Sequence, residues 1–133
     1  MAEQPFESRF YMIGRSDIPQ MNAGKLAAQS AHAASEFEMD TKIISNTYIQ
    51  DLVKAWRDDR KFGVTITLIG TDVEIRELLG PMRLKGYVRD PSYPMFNALG
   101  DGFVAPYDTV GWIFPTSRVE MNVIQNSGLD LYP

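Results

Sequence analysis

Residues 21–34 read Met21-Asn22-Ala23-Gly24-Lys25-Leu26-Ala27-Ala28-Gln29-Ser30-Ala31-His32-Ala33-Ala34. Alanine dominates, and it is the best helix former because it loses no side-chain entropy. Asn22 is placed to cap a helix that the pattern carries to about Glu38. At 100° per residue, Lys25, Gln29 and His32 fall within a wedge of about 60°. Glu36 lies on the same stripe. Ala27, Ala31 and Ala34 recur at helical spacing, which predicts that their face lies tight on a sheet.

Working outward, Phe10 to Gly14 is a short apolar run that reads as a buried strand, followed by a loop over Asp17-Ile18-Pro19-Gln20. Residues 39–46 read as a connection. Tyr48, Leu52, Ala55 and Trp56 mark an amphipathic helix from Thr47 to Asp58. Val64 to Ile69 is β-branched and ended by Gly70, the clearest strand in the chain. Thr71 and Glu74 form a capping box for a helix ending near Leu79-Gly80. After a short segment from Met82 to Lys85, Tyr87-Val88-Arg89 reads as a short strand, and residues 90–102, rich in Pro, Gly and Asn, as a loop. Phe103 to Ala105 and Val110 to Phe114 read as strand, broken by Pro106-Tyr107-Asp108. Val119, Val123 and Ile124 suggest a terminal helix capped by Thr116 or Ser117. The order is β-α-α-β-α-β-β-α. Strands alternating with helices predict an α/β fold, a partly parallel sheet with helices on both faces.

A chain of 133 residues is long enough for one domain with its own core. Residues 1–8 read as a loose polar arm on a single domain spanning 1–133. No cysteine is present, which excludes disulfides, a thiol nucleophile and a cysteine zinc site. One histidine excludes a multi-histidine metal site within one chain. The polar start and the lack of a long apolar run predict a cytoplasmic protein with no membrane partner. Residues 90–133 carry only Arg118 against Asp90, Asp101, Asp108, Glu120 and Asp130. That acidity disfavours broad, nonspecific nucleic-acid binding, so no DNA partner is expected.

Lys25 near a helix N-terminus adds its charge to the dipole and the open N–H groups, a setting for a phosphate or a developing oxyanion. Unperturbed imidazole titrates near about 6.5, so His32 could serve as acid or base at neutral pH. The alternative for this stripe is a solvated helix face. Asp90 follows a strand, where α/β sites are built, though Asp before Pro91 is also an ordinary turn. The spacing of Asp90, Asp101 and Asp108 matches no cation loop. Tyr93, Phe96, Phe103 and Tyr107 cluster around the same loop, for packing or for stacking on a base. No phosphate loop, dinucleotide fingerprint or nucleophile elbow is present.

Arg15-Ser16-Asp17-Ile18, then Met21, then Gly24-Lys25-Leu26-Ala27-Ala28-Gln29 and His32-Ala33 closely resemble the type II peptidyl-tRNA hydrolase signature, R-x-D-L followed by M-x-x-G-K-x-A-A-Q-x-x-H-A. Val88-Arg89-Asp90 is similar to the family's I-R-D. Val104-Ala105-Pro106 with Thr109-Val110 is similar to its I-A-P-G-T-x-T-V. The resemblance implies a three-layer α/β/α sandwich with a four-stranded mixed β-sheet, often a homodimer. It implies metal-independent, cofactor-free hydrolysis of the ester joining a peptide to the terminal ribose of tRNA. Carried over by position, Lys25, His32, Asp90 and Thr109 would be catalytic, and Gln29, Arg15 and Arg89 would bind substrate. Asp90 or His32 would activate water, and Lys25 would stabilise the oxyanion or a tRNA phosphate. Two departures flank this site: the family's short A-G turn after Asp90 is replaced by a longer segment, and Tyr107-Asp108 replaces the Gly-Thr of its later turn. The alternative is a binding module on the same fold, inactive or redirected to a protein, peptide or nucleotide.

Overall fold

A computed structural model describes residues 6–18, 20–59 and 63–132. The strands are β1 (Phe10–Arg15), β2 (Thr65–Gly70), β3 (Lys85–Phe96), β4 (Gly102–Ile113) and β5 (Asp130–Leu131). The helices are α1 (Ala23–Ile43), α2 (Thr47–Asp58), α3 (Asp72–Leu79) and α4 (Arg118–Gln125). The described residues thus form a mixed α/β fold with a five-stranded sheet ordered β3-β4-β1-β2-β5. The expected four strands are one too few, because Asp130 and Leu131 pair with Ile69 and Leu68 at the edge. Two residues give no periodicity to read. β1 and β2 run parallel, and every other pair is antiparallel.

Alternation along β1 divides the core. Phe10 and Met12 join a cluster with Leu26, Ala33 and Phe37 of α1 and Ile49, Leu52 and Val53 of α2. Tyr11 and Ile13 join a second cluster with Ile75, Leu78 and Leu79 of α3 and Met121 and Ile124 of α4. Successive strand side chains point to opposite faces, so one strand serves both clusters. Phe37 anchors the first cluster, stacked at 4.6 Å on Phe10 and 5.2 Å on Phe114. Such ring pairs add about 0.5–1.5 kcal/mol beyond the buried area.

Five sequence expectations are corrected. Residues 90–102 are not a loop: β3 and β4 form one long hairpin whose turn is only residues 97–101. Its register shifts between Asp90 and Tyr93, so Pro91 sits in a bulge, where a missing N–H costs the ladder nothing. For the same reason Pro106 does not break β4, which runs on through Pro106-Tyr107-Asp108. The buried face of α1 is not the alanine face. Ala27, Ala31 and Ala34 are exposed, while Leu26, Gln29, Ala33 and Phe37 are buried. The larger side chains choose the face because burial energy scales with apolar area. α1 also runs past Glu38 to Ile43, so only residues 44–46 connect it to α2. Finally, Phe6 to Ser8 do not belong to a loose arm, whose residues 1–5 lie outside the described ones. Phe6 packs on both clusters, and the buried Ser8 hydroxyl donates to the Pro115 carbonyl.

Caps fall where the side chains predict. Asn22 caps α1, Thr71 and Glu74 close the capping box of α3, and Ser117 rather than Thr116 caps α4. Gly14 lets α1 approach β1 closely, since a Cβ there would lie 2.8 Å from a methyl of Leu26. No helix among the described residues is long and apolar enough to cross a membrane.

Candidate functional site

The polar stripe of α1 lies along the border of its buried face, and burial falls with angle across it. Gln29, nearest the core direction set by Leu26, Ala33 and Phe37, is buried. Lys25 and Glu36 are half-buried, and His32 is exposed. One helical stripe thus presents an amide fixed in the protein, a cation at the border and an imidazole in solvent.

The hairpin supplies the facing groups. Gln29 Nε2 donates to Asp90 Oδ2 at 2.7 Å, and the Thr109 hydroxyl donates to Gln29 Oε1 at 2.8 Å. The carboxylate decides the amide's orientation, because Nε2 is the end that can donate to it. The backbone N–H of Ser92 donates to the other oxygen, Asp90 Oδ1, at 2.8 Å. Asp90 is therefore held at both oxygens, one from the bulge and one from α1. Thr109 is fully buried and reaches Asp90 only through Gln29.

Lys25 Nζ donates to the Pro94 carbonyl at 2.8 Å and lies 5.1 Å from the centre of the Tyr93 ring. An ammonium has three donors, so this contact uses one. Tyr93 is buried and packs edge-on against Tyr107 at 5.6 Å. Burial, with the nearby Tyr107 and Asp90, pushes its phenol pKa up and keeps it neutral.

Gln20, in the loop before α1, holds the same arm. Its Nε2 donates to the Phe96 carbonyl at 2.8 Å and its Oε1 accepts from the Phe96 N–H at 2.9 Å. Gln20 has φ +62°, in the left-handed region that costs a non-glycine residue about 1–2 kcal/mol.

The remaining expected site residues are placed differently. Arg15 is paired with Asp17 at 2.7 Å and donates to the Asp108 backbone carbonyl at 3.1 Å. Arg89 is exposed and lies 3.5 Å from Asp108, which also pairs with Arg76 at 2.6 Å. Asp108 is thus neutralised from two sides, and Asp101 is exposed at the hairpin turn. His32 is exposed and makes no hydrogen bond or ion pair with any described residue, so none of them orients its ring. The structure therefore brings together Lys25, Gln29, Asp90 and Thr109, and does not tie His32, Arg15 or Arg89 to them.

Sequence reasoning missed the Pro94 carbonyl and the Ser92 N–H because it read residues 90–102 as a loop, and Gln20 because its partner Phe96 lies 76 positions away. The available signal was the turn Asn97 to Asp101. There the Asn97 side chain accepts from the N–H groups of Leu99 and Asp101, and Gly100 takes φ +83°. Among the described residues no group of three His, Asp or Glu side chains is placed to hold a metal ion. No protein-family model and no curated protein matches this chain.

Proposed function

We propose that this chain hydrolyses the ester between a peptide and the terminal ribose of tRNA, without a metal or cofactor. One observation carries the reading. Lys25 and Gln29 from α1, and Asp90 and Thr109 from the hairpin, stand 61 or more positions apart across the Gln29–Asp90 bond, yet converge on one edge of the sheet. These are the positions through which the chain resembles the type II peptidyl-tRNA hydrolases. A three-layer arrangement and a homodimer belong to the same reading.

In this mechanism Asp90 accepts a proton from water as the water oxygen attacks the ester carbonyl. The tetrahedral oxyanion takes donors from Lys25, and collapse expels the ribose oxygen, which takes up the proton. Gln29, locked by Thr109, positions Asp90. Lys25 can instead hold the nearest phosphate. His32, exposed and without a hydrogen bond or ion pair among the described residues, faces substrate and solvent rather than the attacking water.

The test is peptide release from a model peptidyl-tRNA at low salt. Lys25→Ala and Asp90→Ala should each cut kcat/KM by about 10²-fold or more; the thermal midpoint should stay near that of the parent in Lys25→Ala and fall in Asp90→Ala, which leaves Gln29 Nε2 without its acceptor. Cleavage that survives either change removes that residue from the mechanism.

A second reading, a binding module on this fold, is favoured by how the cations are engaged. Lys25 meets a carbonyl and a ring, while Arg15 and Arg89 are tied to acids. It predicts no cleavage and tRNA binding whose logarithm barely changes with salt, since few counterions would be released.

A further inference from the structure

The arm of the hairpin beyond the main sheet is fastened along its outer edge by side chains, not by another strand. Residues 89–96 pair with 102–108 of β4, but β1 reaches only as far as Val110. Backbone groups two residues apart in a strand face the same way. The carbonyls of Pro94 and Phe96 accordingly face α1 and the loop before it, where Lys25 takes the first and Gln20 the second. Gln20 also accepts from the Phe96 N–H, so its carboxamide imitates one residue of a neighbouring strand. Pro94 has no N–H to leave unpaired at this edge.

We propose that Gln20 is a positioning residue: its amide clasps the arm at Phe96 and so holds the Pro94 carbonyl on Lys25, setting where the other two ammonium donors point. The proposal rests on the reading of Lys25 as the cation of the site. It adds a residue outside the Gly24-to-His32 signature, and it explains a strained backbone at a non-glycine position. A left-handed residue persists only when surrounding contacts over-determine it. Here two hydrogen bonds to the backbone of one residue, Phe96, do so.

Amide hydrogen exchange, followed by NMR on the whole chain, reads the clasp without any reaction. In Gln20→Ala the Phe96 amide should exchange about tenfold faster, while the amide of buried Val110 keeps its rate. Gln20→Gly should give the same acceleration, because glycine keeps the backbone conformation and removes only the clasp. Acceleration in the alanine variant alone would arise from backbone strain and would overturn the proposal, as would an unchanged Phe96 in both.

Acylation of Lys25 by a small amine-reactive ester, read by mass spectrometry, tests the second link. Its rate should change by about threefold or more in both variants. An unchanged rate beside faster Phe96 exchange would show that the arm does not hold Lys25. In cleavage assays the Gln20 variants should move the same parameter, kcat or KM, that Lys25→Arg moves, and by less. If the parent protein cleaves nothing, the hydrolase reading fails, while exchange and acylation still decide the clasp.

Discussion

The parallel strands β1 and β2 each run into a helix N-terminus, and the two ends are finished in opposite ways. At α3 the positive end is saturated by the chain's own acids. Asp72 and Glu74 lie in its first turn, Thr71 and Glu74 close the capping box, and Asp17 accepts from the Asp72 N–H at 3.2 Å. Arg15, Arg76 and Arg89 neutralise Asp17, Asp72 and Asp108 around it, and Tyr87 donates its phenol to Asp72 at 2.8 Å. At α1 only Asn22 caps the helix, no acid lies in the first turn, and a lysine sits there instead. The first end is balanced charge against charge and asks for nothing more. The second keeps its dipole, adds a cation and places a doubly held carboxylate opposite, with no acid of its own in the first turn to balance it.

The contrast breaks most sharply by reversing charge at the open end. Lys25→Glu should abolish peptide release, by more than about 10²-fold, with stability within about 0.5 kcal/mol of the parent. Asp72→Asn at the closed end should leave cleavage unchanged. If the two variants behave alike in the assay, the two ends do not differ in function.

Next in size is Thr109→Val. It removes the buried donor to Gln29 and leaves Oε1 without that partner, a loss of about 1–3 kcal/mol in urea unfolding. Cleavage should fall about tenfold, because Asp90 loses the locked amide behind it. Full activity would show that the amide holds its orientation without Thr109.

At the closed end, Asp17→Ala should cost about 1 kcal/mol through the lost cap at α3, with no change in cleavage. A drop in activity at unchanged substrate affinity would mean that the closed end also shapes the site.

The smallest effect is a dependence on pH. Burial pushes the Asp17 carboxyl up, but hydrogen bonds from Arg15 and the Asp72 N–H, with the Arg15 charge, outweigh it and hold the pKa below the usual range. Asp72 is likewise held low, first by the Tyr87 phenol, with burial next and opposing, and then by Arg76 and the Arg15 charge. A carboxyl with a depressed folded pKa adds stability that is fully present above its unfolded pKa, near about 4, and is lost as pH falls through the folded value. Urea unfolding at about pH 5 and pH 3 should show the parent losing more stability than Asp17→Asn with Asp72→Asn. Equal losses would assign acid sensitivity to other carboxyls. In the same network burial, and then the bond to Asp72, push the Tyr87 phenol well above its ordinary value, so it stays a donor throughout.

Much of this contrast was visible in residue types alone. Asn22, Thr71 and Glu74 announced their caps, and Ser117 was one of two candidates with Thr116, because a cap is a local hydrogen bond between near neighbours. The hairpin was not visible. Pro91, Pro94 and Pro106 argue against a strand when each is read by its neighbours. They become harmless only where a bulge or an outer edge needs no N–H, and pairing across β3 and β4 decides that. The alanine face of α1 misled for a related reason. Periodicity marks several stripes, and contact area with the sheet selects among them.

The sequence by itself determined the element order as far as α4, the partly parallel α/β sheet, most of the caps and the set Lys25, Gln29, His32 and Asp90. All follow from short-range propensity, period and motif. Tertiary structure alone decided which members of that set meet. Gln29 reaches Asp90 and Thr109 while His32 stays in solvent, because a few tens of degrees around α1 separate core from water. It also recruited Gln20 and the Pro94 carbonyl, 76 and 69 positions from their partners Phe96 and Lys25. Backbone carbonyls carry no residue identity, so a contact made through one leaves no mark that a sequence can show.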